Sequence, residues 1–406
     1  MEAVELGRTA VGAGRAARSD GAFGHDRSAW RELGAHAQYF FQTPEWIELL
    51  AGRLERDVVW GTVFDADRPA AVALLRSAPR RAGHVKLTVL SQVRIGESQL
   101  PYADGLLDRE AYGERRLREL VDACGPWHVL WLTGLRAGSP WLELAGEDGL
   151  LRPEPDGGVG VMDTSVAVEE CWRAVPKNMR HTIHNARHRI DARGGAEIVV
   201  ATGDDVAPAY ERHIELEASG WKGRAGTSLA QCAFDRELLR DYLALEGSAQ
   251  VRTLAIGGRL AATQVATRVG ATLFLRRIAY NEQFAKCAPS NVLLADLLET
   301  CCEDPGIDRI DCLAWQPWIP RWGMMREPTY SLVAFNQRTI RGTAARASRG
   351  GWERLRERQN RRSHQLRRRP HRFGRAIGGS SPQDIAPRRP RTRRGPLTRR
   401  RDPPGR

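Results

Sequence analysis

Ala271-Thr-Leu-Phe-Leu-Arg-Arg-Ile-Ala-Tyr280, then Asn281–Ala288, then Pro289-Ser-Asn-Val-Leu-Leu-Ala-Asp-Leu-Leu-Glu-Thr300 decide how this chain folds. The first run is rich in β-branched, aromatic and aliphatic residues and reads as a strand. The second reads as a helix, with Pro289 in a first turn that needs no N–H from it. Val292, Leu293, Leu297 and Leu298 give that helix an apolar face, and Ala295 fills its narrow side. A strand that runs through a loop into a helix start gathers free N–H groups and the positive end of the helix dipole at one point. Such a point suits a phosphate.

The flanking sequence extends the pattern. Ala249–Ile256 and Arg259–Val269 are strand-like around the hairpin turn Gly257-Gly258, and Gly270 turns the chain into the third strand. Ile307–Leu313 and Thr329–Asn336 read as two later strands. Upstream, Thr43-Pro44-Glu45 starts a helix with a hydroxyl cap, a proline and an acid. Strand-like runs Val58–Phe64, Ala70–Ser77 and Val85–Val93 follow. Arg109–Cys124 reads as helix and Trp127–Thr133 as a buried strand. The order helix, three strands, helix, strand therefore occurs twice, a topological duplication. Arg152-Pro-Glu-Pro-Asp-Gly-Gly158 reads as a link of turn residues, and Val159–Asp163 as a returning strand.

An antiparallel meander followed by loop, helix and strand resembles the acetyl-CoA-dependent N-acetyltransferase (GNAT) fold. Lys177–Gly195, Gly220-Trp-Lys-Gly-Arg-Ala-Gly-Thr227, Ala288-Pro-Ser-Asn291 and Asp311–Trp322 resemble, in order and spacing, the CelD/BcsL-like acyltransferases of the FemAB-like tandem GNAT group. Phe40-Phe-Gln-Thr-Pro-Glu-Trp46 resembles the opening of that group's N-terminal domains. The resemblance spans about Phe40 to Arg341. It implies two tandem GNAT-like α/β (α+β) domains, each a mixed, mainly antiparallel sheet flanked by helices. The expected divisions are a disordered leader 1–28, an N-terminal domain 29–163, a catalytic domain 164–345 and a basic disordered tail 346–406.

With acetyl-CoA or another acyl-CoA as co-substrate, the pyrophosphate would lie on Ala285, Lys286, Cys287, Ala288, Ser290 and Asn291. Lys286 adds a point charge or stands as a solvated loop lysine. Cys287 reads as a small buried residue, because transfer in this fold is direct. An N-acyltransferase must also deprotonate an amine and stabilise an oxyanion. Glu217, near a helix end, is the candidate base. Tyr280 closes the strand that offers an N–H to the oxyanion, and the resemblance adds Asp311 to the catalytic set. In Gly220–Gly226 the glycines let the loop bend tightly. Trp221 offers a stacking face, and Lys222 and Arg224 offer cations. With Arg180, Trp318 and Trp322 they form the expected acceptor site, suited to an amino sugar or polysaccharide precursor. Two departures stand out: Asn291 replaces the glycine usual at the helix start, and Trp318-Ile319 replaces a usual Tyr-Lys.

The basic helix Lys177–Ile190 places Arg180, His184, Arg187 and His188 on one face, either meeting phosphates or simply solvated. Its histidines have no carboxylate or cysteine at ligand spacing, so no metal is expected. Of 406 residues, 58 are arginine and four lysine. Arg338–Arg406 holds 23 Arg and 4 acids, about +19, so the total of +13 leaves a body near −6. That tail could retain nucleic acid non-specifically by charge. No apolar run is long enough to span a membrane. Seven cysteines without metal-like spacing suit reduced thiols in a cytoplasm.

The acyl-CoA reading has two rivals. One is a Fem-type aminoacyltransferase fed by aminoacyl-tRNA. The other is a degenerate, non-catalytic partner in carbohydrate assembly.

Overall fold

The apolar runs read from the sequence pair into one continuous sheet in the computed structural model. It describes residues 16–17, 23–53, 58–82, 84–93, 105–112, 117–137, 139–143, 153–245 and 247–347. These lie in the first of two units, Met1–Arg358, the second being Gln359–Arg406. Nearly all of the expected tail lies outside the described residues.

In chain order the first half carries β1 (Ala16–Ala17), α1 (Phe23–Glu32), α2 (Pro44–Arg53), β2 (Val58–Asp65), β3 (Arg68–Ala82), β4 (Val85–Gln92) and β5 (Leu106–Leu107). Then come α3 (Arg109–Tyr112), α4 (Leu117–Ala123), β6 (Val129–Arg136), α5 (Pro140–Glu143) and β7 (Glu154–Asp163). The second half begins with α6 (Val168–Ala174), α7 (Lys177–Asp191), β8 (Ala196–Ala201), α8 (Val206–Ser219), α9 (Trp221–Arg224) and α10 (Ala233–Leu245). It ends with β9 (Ala249–Ile256), β10 (Arg259–Val269), β11 (Thr272–Tyr280), α11 (Pro289–Glu303), β12 (Arg309–Asp311), β13 (Met325–Phe335) and α12 (Ile340–Ala347).

The duplicated order is present: α2-β2-β3-β4-α4-β6 is matched by α10-β9-β10-β11-α11-β12. In each set the meander is antiparallel, and the strand after the helix pairs parallel to the meander's last strand, β6 with β4 and β12 with β11. The strands run β1-β2-β3-β4-β6-β13-β7-β12-β11-β10-β9-β8 across the sheet, with β5 on β3. The halves interlock through their last strands. β7 pairs with β12 of the second half, while β13 pairs with β6 of the first and with β7.

Two expectations change here. The stretch Glu154–Gly158 is strand, because β13 supplies a ladder opposite it. The register slips between Thr329 and Tyr330, leaving Asp156 without a partner opposite it. Its carboxylate accepts the Gly134 N–H at 2.7 Å and the Thr329 hydroxyl at 2.7 Å. α1 begins at Phe23, inside the expected leader, and buries Trp30.

Apolar packing fixes the layers. On one face, α2, α8 and α10 bury Trp46, Tyr210, Ile214 and Tyr242 against Val251, Val265 and Phe274. On the other, Ala186 and Ile190 of α7 and Val292 and Leu293 of α11 pack on Leu254 and Ala262. No helix among the described residues is long and apolar enough to cross a membrane. All seven cysteines are free thiols. Burial pushes the Cys301 thiol up to about 12 and raises Cys312 as well, which keeps both inert.

Candidate acyl-transfer cleft

β11 and β12 run side by side only from Thr272 to Phe274, opposite Arg309 to Asp311. The divergence starts at Asp311. Its Oδ1 accepts the Leu313 N–H at 2.7 Å, and Leu313 takes a left-handed φ of 61°, which turns the chain out of the sheet. From Leu275 to Tyr280 one edge of β11 therefore has no ladder. Which groups point into the gap follows from the register. Asn281 N–H bonds Ala261 C=O at 2.8 Å, so Ala279 and Arg277 also bond toward β10. By alternation, the main-chain N–H and C=O of Ile278 and Tyr280 face the open edge.

The helix start lies at the carboxyl end of this strand. Asn281 Oδ1 accepts the Gln283 N–H at 3.0 Å and begins a 3₁₀ turn, Glu282–Cys287. Ala288 takes φ 43°, ψ 50°, and its carbonyl accepts from Asn291 at 2.9 Å and Val292 at 3.1 Å. Pro289 follows as the first helical residue. Ser290 Oγ is shut off from solvent and makes no hydrogen bond with the described residues. Ala285 and Lys286 are exposed, and the Cys287 side chain is fully buried. Asn291 Oδ1 faces the Trp322 indole N–H at 3.4 Å.

The Gly220–Thr227 motif reaches the gap from the face carrying α8. Lys222 Nζ lies 2.7 Å from Glu217 Oε1 and 2.9 Å from the Ile278 carbonyl, one of the groups aimed into the open edge. Glu217 is buried, and its Oε2 accepts the Leu229 N–H at 2.8 Å. Arg277 stands 3.8 Å from Glu217 Oε1. Burial opposes the charge of Glu217, but Lys222 and Arg277 outweigh it and hold the carboxyl below its ordinary range. Burial lowers the Lys222 ammonium, against Glu217, which favours its charge. His213, one helical turn before Glu217, meets Thr263 Oγ1 at 2.8 Å. Burial drops its pKa to about 3, so it is neutral. Arg224 ties the motif to the helix-start loop through Glu282 at 2.7 Å. Trp221 stays 46% exposed, free to offer a ring face.

Three expected roles change. Glu217 is no base, because its side chain is fully enclosed and both oxygens are engaged. Asp311 does not face an acceptor. Its Oδ2 lies 3.1 Å from Arg136 and 3.6 Å from Arg309, and both arginines also pair with Glu327. Trp322 is fully buried and backs the helix start, offering no acceptor surface. Trp318 is half-buried beside it. Ile319 is buried against Gly160, whose missing Cβ would stand 2.4 Å from the Ile319 Cγ2.

Arg180 is exposed on α7, with His184 and His188 in contact at 3.0 Å. The same helix grips the helix-start loop, Arg189 donating to the Lys286 carbonyl at 2.8 Å and Arg193 to Cys287 Sγ. Among the described residues no three His, Cys, Asp or Glu side chains could hold a metal ion. Sequence reading missed Arg277, His213 and Arg136. Only the i,i+4 spacing of His213 and Glu217 could have signalled one of them.

Residues 177–316 match the model of the acetyltransferase (GNAT) domain, a span that runs from α7 to the turn after β12 and includes the Gly220–Thr227 motif, β11 and the start of α11. FemX is 10% identical with a TM-score of 0.53, over 77% of this chain and 96% of its own. A conserved protein of unknown function from Bacteroides thetaiotaomicron is 10% identical with a TM-score of 0.50, over 77% and 97%. A tandem GNAT protein from the clavulanic acid biosynthesis pathway is 13% identical with a TM-score of 0.42, over 80% and 98%. No curated protein matches the sequence. Residues 177–316 are thus a GNAT acetyltransferase domain, and the protein that carries it is an acyltransferase.

Proposed function

We propose that the protein takes an acyl group from acetyl-CoA or another acyl-CoA and passes it to an amine of an amino sugar or other polysaccharide or cell-envelope precursor. The observation that carries this is the start of α11 at the carboxyl end of β11, next to a strand edge without a ladder, where Ser290 Oγ has no hydrogen-bond partner among the described residues. The Ser290 N–H, with the positive end of the α11 dipole, would hold the pyrophosphate, and exposed Lys286 adds charge. The thioester arm would run along the edge where Ile278 and Tyr280 present main-chain groups. Trp221 and half-buried Trp318 offer ring faces to a sugar.

Calorimetry tests the donor. CoA and dephospho-CoA, which share the pyrophosphate, should bind alike, and pantetheine at least tenfold more weakly. Ser290→Ala should weaken CoA by about 1 kcal/mol. Equal affinity for CoA and pantetheine, or none for either, sinks the donor assignment. For the acceptor, Trp221→Ala should raise KM while leaving CoA affinity within a few-fold.

The exposed face of Arg180, His181, His184 and His188 favours a second reading, in which a charged tRNA brings the acyl group. A melting temperature raised by aminoacyl-tRNA and unmoved by CoA would select it.

A further inference from the structure

An ammonium carries three donors. At Lys222, one goes to Glu217 Oε1 at 2.7 Å and one to the Ile278 carbonyl at 2.9 Å. The third meets no acceptor among the described residues, and the side chain keeps 20% of its surface open. The Ile278 carbonyl projects into the gap between β11 and β12, so Nζ stands in that gap. The charge count at this point is unbalanced. Glu217 brings one negative charge, while Lys222 and Arg277 bring two positive ones, and His213 behind them is neutral. A surplus positive charge held in a half-buried cleft is costly until an anion arrives.

We propose that Lys222 is a catalytic residue of this cleft, its third N–H and surplus charge stabilising the oxyanion formed at the thioester carbonyl. The inference rests on the acyl-CoA reading above. In the reaction, the amine lone pair forms the new C–N bond and the carbonyl π pair moves onto oxygen, beside Lys222. That pair then returns as the C–S bond breaks, its electrons leaving on sulfur. The proton shed by the amine passes to the thiolate or to water, and Lys222 stays protonated throughout. Glu217 acts as a positioning residue: it fixes Nζ with one oxygen and anchors itself to the Leu229 N–H with the other. A fixed charge aimed where negative charge develops needs no reorganisation at the moment of reaction.

The test uses the full chain with acetyl-CoA, with water or glucosamine as acceptor, reading released CoA thiol alongside CoA affinity by calorimetry. Lys222→Met should slow thiol release by about 100-fold or more while CoA affinity stays within threefold. That variant leaves Glu217 buried without its partner. The double variant Lys222→Met, Glu217→Gln removes the stranded charge and should show the same loss. Lys222→Arg should recover at least tenfold of it. A charged donor also predicts that release falls as alkaline pH deprotonates Lys222, whereas a lysine acting as base would make it rise. Wild-type release by the folded double variant, or a rising alkaline limb abolished by Lys222→Met, overturns the proposal. If the unaltered protein binds CoA yet releases no thiol, the proposal fails alone. If it binds no CoA, both readings fall.

Discussion

At the scale of single residues, the chemistry depends on charges that are held rather than displayed. Arg136 and Asp311 meet 3.1 Å apart, each almost fully enclosed. Asp311→Ala would leave Arg136 with less compensation and remove the acceptor of the Leu313 N–H. We expect a loss of about 3–5 kcal/mol in urea unfolding, with Asp311→Asn costing less because it keeps that acceptor. His213 sets an acid limit. In the unfolded chain its imidazole takes a proton near 6.5, in the fold only near 3. Between those values the unfolded state binds more protons, so stability falls as pH drops through this window. His213→Gln should keep a bond to Thr263 and remove that loss, on the order of 2 kcal/mol at pH 4.5. Urea midpoints at pH 7.5 and 4.5 measure it. Trp221 and Lys222 were legible because glycines on both sides announce a special loop. Arg277 and Arg136 were not, since an arginine in a strand reads as solvated until a partner from elsewhere is placed beside it.

At the scale of elements, turns carried most of the legible information. Gly257-Gly258 and Gly270 set the limits of β9, β10 and β11, and the structure keeps these strands within a residue of their expected bounds. The 3₁₀ turn before α11 leaves no signal in the sequence beyond that of a loop, because Glu282–Cys287 has no periodic pattern. Gly223 explains the Trp221 motif in steric terms: a Cβ there would stand 1.8 Å from the Ala218 carbonyl oxygen. Gly223→Ala should therefore push α9 off the end of α8 and carry Lys222 out of the gap. Thiol release should drop at least tenfold with CoA affinity kept, and Gly226→Ala, which meets no neighbour but puts a methyl on a left-handed φ of 73°, should cost stability by about 1 kcal/mol with a smaller loss of release. Ala288 holds a left-handed φ of 43° at the helix start. Ala288→Gly should relieve that strain without loss of CoA affinity, with the melting temperature rising or unchanged. A fall in either would show that the Ala288 methyl has a packing role.

At the scale of the molecule, the duplication was legible and the interlocking was not. Helix and strand order repeats along the sequence, but nothing local shows that β7 and β13 lie between β6 and β12. Pro155 and Gly157-Gly158 read as a link because a strand partner more than a hundred residues away leaves no trace in them. A boundary after Asp163 gives β7 to the first half, although β12 of the second half is one of its partners. We propose that the two halves fold as one. Residues 164–347 expressed alone should be insoluble or molten, and adding back 1–163 as a separate chain should restore a cooperative melt. The position of β13 has a further consequence during synthesis. β6 and β7 leave the ribosome early, with edges waiting for Met325–Phe335. At about 5–20 residues per second, those edges stay bare for many seconds while the catalytic half is translated, so a nascent chain stalled before Met325 should be a chaperone client, and one stalled well past Phe335 should not.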